Sequence, residues 1–131
     1  MANSLLREGP VPVFVHGVIE YVAGVAFIAA PLLLGFESST ATGLAVAVGI
    51  VILLVAATTH GPTSLVDAIQ VVVHVVLDYV LAVFLIATPF LFDFSDDTPA
   101  TVWFVALGVA HLLITVGTRF LPVTATPVRK S

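Results

Sequence analysis

His16 and Glu20 stand four residues apart, and so do His74 and Asp78; each pair is followed at once by a tyrosine, Tyr21 and Tyr79. An i, i+4 spacing puts both members of a pair on one face of a helix, about one turn apart. Imidazole nitrogen with carboxylate oxygen is a donor set that suits zinc, iron or manganese. Imidazole also takes up and releases protons near neutrality, with an ordinary pKa of about 6.5. His111 adds a fifth group of the same kind. These residues could bind a metal or a haem, relay protons or a small solute, or hydrogen-bond to one another and fix how helices meet. The two tyrosines could serve the bundle as hydrogen-bond donors, to Glu20 and Asp78 among others.

The elements that must carry them are strongly apolar. Of 131 residues 60% are hydrophobic and 9% charged, against about a quarter charged in soluble domains, and the mean hydropathy is +1.19. Four apolar runs stand out, roughly Val11 to Leu34, Thr42 to Thr58, Leu65 to Phe92 and Ala100 to Leu121. A helix needs about 20 residues to cross about 30 Å of hydrocarbon. The pattern predicts an all-α polytopic membrane protein with four transmembrane helices in one membrane domain, and tails at 1–10 and 122–131. The opening MANSLLREGP lacks the basic start and cleavage site of a signal peptide and is expected to be retained. The chain has no cysteine, which excludes disulfides, thiolate metal sites and cysteine nucleophiles. A net charge of −4 without a basic cluster argues against nucleic acid as a partner. The expected partners are the bilayer and either further copies of the chain or the subunits of a larger membrane complex. Phosphate-binding glycine loops and zinc-protease signatures are missing from the sequence, so enzymatic activity has no positive support.

The His-acid pairs recur because the chain is duplicated. Residues 16–36 laid over 74–94 match His16 with His74, Tyr21 with Tyr79, Pro31 with Pro89 and Phe36 with Phe94, and Glu20 falls on Asp78. After a one-residue insertion, Ala45 to Thr59 lies over Phe104 to Thr118, matching Gly49 with Gly108. Each repeat, about 11–59 and about 65–121, is thus a helical hairpin. Two crossings return the chain to the side where it began, so the hairpins insert in parallel about an axis along the membrane normal. Their His-acid faces can then meet.

Asp78 and His111 are expected near the middles of spans three and four, at similar depth, and are the predicted pair; Glu20, with Ile52 where the second copy has His111, needs another partner. His60 to Ser64 reads as a tight link, Thr98 with Pro99 as a helix start, and Ser39 or Thr40 as the corresponding cap. Pro31 and Pro89 fall where a proline bends or ends a span. Asp93, Asp96 and Asp97 read as a solvated acidic loop that could hold a cation. Trp103 reads as an interfacial anchor, and Gly17, Gly24, Gly43, Gly49, Gly108 and Gly117 as helix contacts. Arg7, Arg119, Arg129 and Lys130 lie near the termini while the other loops are acidic, which puts both termini in the cytoplasm.

The stretches AAPLLLGFESSTATGLAVAVGI and ATPFLFDFSDDTPATVWFVALGV resemble the SPW-repeat membrane proteins of bacteria and archaea. That family repeats a two-helix unit with a Ser-Pro-Trp motif near the end of its first helix, a short loop and a second helix containing glycine. Here the motif positions read Ala30-Pro31-Leu32 and Thr88-Pro89-Phe90, so only the proline is kept. DoxX-like and HdeD-like proteins share the coarse pattern. The resemblance implies a prokaryotic plasma-membrane protein and carries no activity with it. The leading expectation is a small structural or accessory membrane protein; metal or haem binding and proton or solute transport through the His and carboxylate groups are the alternatives.

Overall fold

The computed structural model describes residues 9–120, so Arg7, Arg129, Lys130 and most of both tails lie outside the described residues. Four helices account for the apolar runs: α1 Val13–Leu34, α2 Ser39–Thr58, α3 Val71–Leu91 and α4 Thr98–Gly117. Each is apolar on nearly all sides, and only 33% of the span in α1, α2 and α3 and 22% in α4 is buried inside the protein. Val22, Leu32, Leu33, Val83 and Leu113 point outward with most of their surface free. Helices apolar all round satisfy their own backbone and present hydrocarbon to hydrocarbon. The chain is a multi-pass membrane protein with an all-helical fold.

α1 packs on α2 and α3 on α4, and α1 also meets α4. The hairpins close tightly because a glycine on the second helix lies against the backbone of the first. A Cβ on Gly49 would stand 2.6 Å from the Gly24 carbonyl oxygen, and one on Gly108 would stand 3.0 Å from the Ala82 carbonyl oxygen. Gly43 and Gly117, by contrast, have no such close neighbour.

Pro31 and Pro89 sit inside the last turns of α1 and α3, and their carbonyls accept from Phe36 and Phe94 amides at 3.1 and 3.0 Å. The chain then turns through a left-handed residue, Gly35 at φ 67° and Asp93 at φ 56°, a conformation that glycine adopts freely and aspartate tolerates. The helix starts differ from the expected ones by one residue. Ser38 caps α2 through the Ala41 amide and Asp97 caps α4 through the Ala100 amide, so Ser39 and Thr98 are already helical and Pro99 follows in the first turn. Asp97 is buried, and its Oδ2 also accepts from the Glu37 and Ser38 amides at 2.9 and 2.8 Å. This carboxylate ties the two hairpin loops together and does not belong to a solvated loop. Phe27, Leu85, Phe94 and Phe104 fill the half of the bundle beneath these loops. Trp103 packs edge-on against Phe27 at 5.4 Å and buries its indole nitrogen, so it is a core residue as well as an outer one.

At the opposite end, α3 begins six residues later than the apolar run suggested. Leu65, Val66, Ala68 and Ile69 amides bond back to the Ala57 and Thr58 carbonyls, so this apolar stretch caps the C-terminus of α2 and the link extends well beyond Ser64. Two short parallel pairings close this end. Strand β1, Val11–Pro12, pairs with β2, Thr118–Arg119, and Ile69 bridges to Thr59. The register that lays His16 on His74 also lays Val11 on Ile69, and after the one-residue insertion Thr118 falls on Thr59, so each hairpin's leading segment is stapled to the end of the other hairpin.

Candidate functional site

His16 and His74 lie in the first turns of α1 and α3, with Glu20 and Asp78 one turn further on, and all four are buried. Because α3 starts at Val71, Asp78 lies about 10 Å from the helix end at 1.5 Å per residue and not at the middle of the span. The site therefore belongs to the stapled end of the bundle.

The two pairs converge between the hairpins. His16 Nε2 stands 3.4 Å from Glu20 Oε1 and 3.2 Å from Asp78 Oδ2. His74 Nε2 stands 2.9 Å from Glu20 Oε1 and 3.2 Å from Asp78 Oδ2. Each imidazole thus faces the acid of its own helix and that of the other. His74 is the partner that Glu20 lacked in the sequence. His111 approaches from α4, with Nε2 3.4 Å from Asp78 Oδ1, so Asp78 turns one oxygen to the cluster and the other to His111. Tyr21 donates to the Thr63 carbonyl at 2.8 Å and holds the link 59–70 over the site. Tyr79 is half-buried and makes no side-chain hydrogen bond among the described residues.

The far sides of both imidazoles decide their chemistry. Thr118 Oγ1 donates to the Ile114 carbonyl at 2.6 Å and stands 2.7 Å from His16 Nδ1. Thr59 Oγ1 donates to the Val55 carbonyl at 2.7 Å and stands 2.6 Å from His74 Nδ1. A hydroxyl has one proton, and here it is already given to a carbonyl, so the ring Nδ1–H must be the donor to the threonine. In the neutral imidazole this leaves the lone pair on Nε2, aimed at the two carboxylates. Each threonine orients the histidine of the other hairpin. Neither threonine was visible as functional in the sequence, although both close the second block of the repeat alignment.

Two neutral imidazoles and two carboxylates in a buried site need compensating positive charge, because an unpaired buried charge is strongly disfavoured. Protons on the two Nε2 atoms would supply it, and so would one divalent cation. Protons suit the 2.9 Å contact of His74 Nε2 with Glu20 Oε1, and other features suit a cation. His16 Nε2 and Asp78 Oδ2 face each other yet are buried without a hydrogen-bond partner. One donor atom from each of His16, Glu20, His74 and Asp78 lies within 4.8 Å of the others. Tetrahedral zinc with ligands at about 2.0–2.2 Å separates its donors by about 3.3–3.6 Å; the four nitrogen–oxygen distances, 2.9 to 3.4 Å, reach that span only at their upper end. Nδ1–H bonded to a hydroxyl is also the outer contact that orients a metal-ligating histidine. The space between the cluster and the link 59–63 is about 30 Å³, room for an ion or a water and not for a porphyrin.

A family model for the SPW repeat domain matches residues 14–118, a stretch that runs from the first turn of α1 to the threonine on His16. No curated protein and no solved structure matches the chain. The duplicated hairpin, the proline in the last turn of its first helix and the close-packed glycine of its second agree with that match, and the chain belongs to the SPW repeat family.

Proposed function

We propose that this protein is a divalent-metal-binding membrane protein, with His16, Glu20, His74 and Asp78 as ligands and Thr59, Thr118 and His111 as their supports. The observation that carries this reading is the double orientation of the imidazoles: each is held at Nδ1 by a threonine with no proton to offer, which leaves both Nε2 atoms directed at the same two carboxylates. Zinc is the first candidate, since a four-donor set of nitrogen and oxygen suits it. The ion's role is to join the two hairpins at one end, which gives the expected accessory role a physical content. A proton relay has less support, because Phe27, Leu85, Phe94 and Phe104 close the other half of the bundle. The acidic loops at the opposite end and Arg119 at this one favour a cytoplasmic position for the site, in a plasma membrane.

Metal analysis of protein purified without chelator, followed by zinc titration against a chromophoric competitor, tests the reading. One zinc per chain is expected, lost in His16→Ala and Asp78→Asn. Sub-stoichiometric metal and no competition at micromolar zinc would leave the cluster as a purely structural ion-pair network.

A further inference from the structure

Two hollows reach the acids of the cluster, and they differ in what can pass through them. The one between α2 and α3 touches Glu20 and Asp78, but Leu44, Val51, Leu77, Val80 and Phe84 wall it. An ion taking that route would leave its hydration shell with nothing in exchange. The other hollow lies beneath the link 59–70, at the end of the bundle. Its inner wall includes His16, Glu20 and His74, and residues 60–63 form its outer one. A hydrated ion therefore has its way to the cluster on this side, and the link stands across it.

The link is fastened unevenly. Its base is built into the bundle: the His60 amide bonds to the Ile69 carbonyl at 2.9 Å, and the Leu65, Val66, Ala68 and Ile69 amides bond to the Ala57 and Thr58 carbonyls at 2.8 to 3.0 Å. Its tip rests on α1 through Thr63. The Thr63 carbonyl accepts from the Tyr21 hydroxyl at 2.8 Å, and the Thr63 side chain sits on Gly17, where an added Cβ would run into Thr63 Oγ1, Cγ2 and Cβ. Gly17 is thus the seat of the link and not a helix contact. The seat belongs to one copy, since the repeat register puts the buried Val75 where the first hairpin has Gly17. Gly61 and Pro62, next to Thr63, are exposed. Segments with few buried contacts on a well-paired base are those that open locally. We infer that the tip of the link, residues 61–64, is the gate through which the site exchanges with water, latched by the Tyr21 hydroxyl and by Thr63 on Gly17. The ion's passage through it rests on the metal-binding reading; access to the hollow does not.

Access is read first, without metal. Ala56→Cys puts a single thiol into a chain that has no cysteine, on the buried wall of the hollow beneath the link. In the full chain in nanodiscs its reaction with methanethiosulfonate ethylammonium should be slow. Tyr21→Phe should speed it about three- to tenfold, what the loss of one hydrogen bond allows, and Gly17→Ala, whose methyl unseats Thr63, should speed it at least as much. If Gly17→Ala fails to fold, Thr63→Ala, which empties the seat from the exposed side, carries the comparison. Zinc exchange is read second, in chains that keep Ala56. Tyr21→Phe should speed loading and release alike and leave affinity unchanged, whereas a tyrosine that only stabilised the site would change affinity through release. Equal thiol reactivity in all these chains would overturn the gate whether or not zinc binds. Faster labelling in a chain that takes no zinc removes the metal reading and keeps the gate. One zinc per chain, with loading and release unmoved by Tyr21→Phe and Gly17→Ala, keeps the metal reading and removes the gate.

Discussion

A threonine hydroxyl that has given its single proton to a backbone carbonyl can only accept from its neighbour, which in a neutral His16 or His74 leaves Nε2 as the free nitrogen. Thr59→Val and Thr118→Val keep shape and lose that acceptor, so each should lower zinc affinity by about 10–100-fold, the usual effect of removing such a support. Thr→Ser at either position should restore most of the affinity, and competition titration reads both. Protons and zinc compete for the same two Nε2 atoms. Apparent affinity should therefore rise with pH, and binding should release protons, seen in calorimetry as a heat that depends on the buffer. A pH-independent affinity would remove the histidines from the ligand set. The His and acid residues were readable from the sequence because an ionisable group in an apolar run is conspicuous. Thr59 and Thr118 were not, because threonine is unremarkable at a helix end and acquires its role only through a contact with the other hairpin.

At the scale of the element, the four spans and their pairing into hairpins followed from hydropathy and duplication, and the errors lie at the ends. Leu65 to Ile69 reads as the start of a span by composition, yet its amides are the donors that α2's last carbonyls need. Asp97 reads by sequence as solvated with its acidic neighbours, since nothing local marks a carboxylate whose oxygens accept from another loop. Asp97→Ala should cost about 1–3 kcal/mol, from a lost cap and two amides left without their acceptor. Asp96→Ala, on an exposed residue, should stay within about 0.5 kcal/mol. Thermal melts in the same detergent separate the two. Gly108→Ala should destabilise by about 1–3 kcal/mol, because the added methyl meets the Ala82 carbonyl and the Ile86 amide nitrogen on a packed helix. Gly43→Ala, with open space around it, should be neutral or slightly stabilising.

For the whole molecule, the proposed topology can be read directly, because the native chain has no cysteine to confuse labelling. Ala68→Cys, exposed in the link beside the site, should react with an impermeant maleimide only after cells are opened. Ser95→Cys, exposed in the opposite loop, should react on intact cells; the reverse pattern would invert the molecule. His16, Glu20, His74 and Asp78 form one buried site that the two hairpins share. That shared site has a history in time as well as in space. Each hairpin brings one histidine, one acid and the threonine that orients the other's histidine. During synthesis the first hairpin emerges with His16 and Glu20 but without the groups that complete them, and those groups are made only after α3 and α4. Insertion of the second hairpin is then the step that makes the first one's polar face tolerable to the bilayer. A chain stopped after the first hairpin should persist as an exposed, degradable intermediate, and co-expression of the missing half should rescue it.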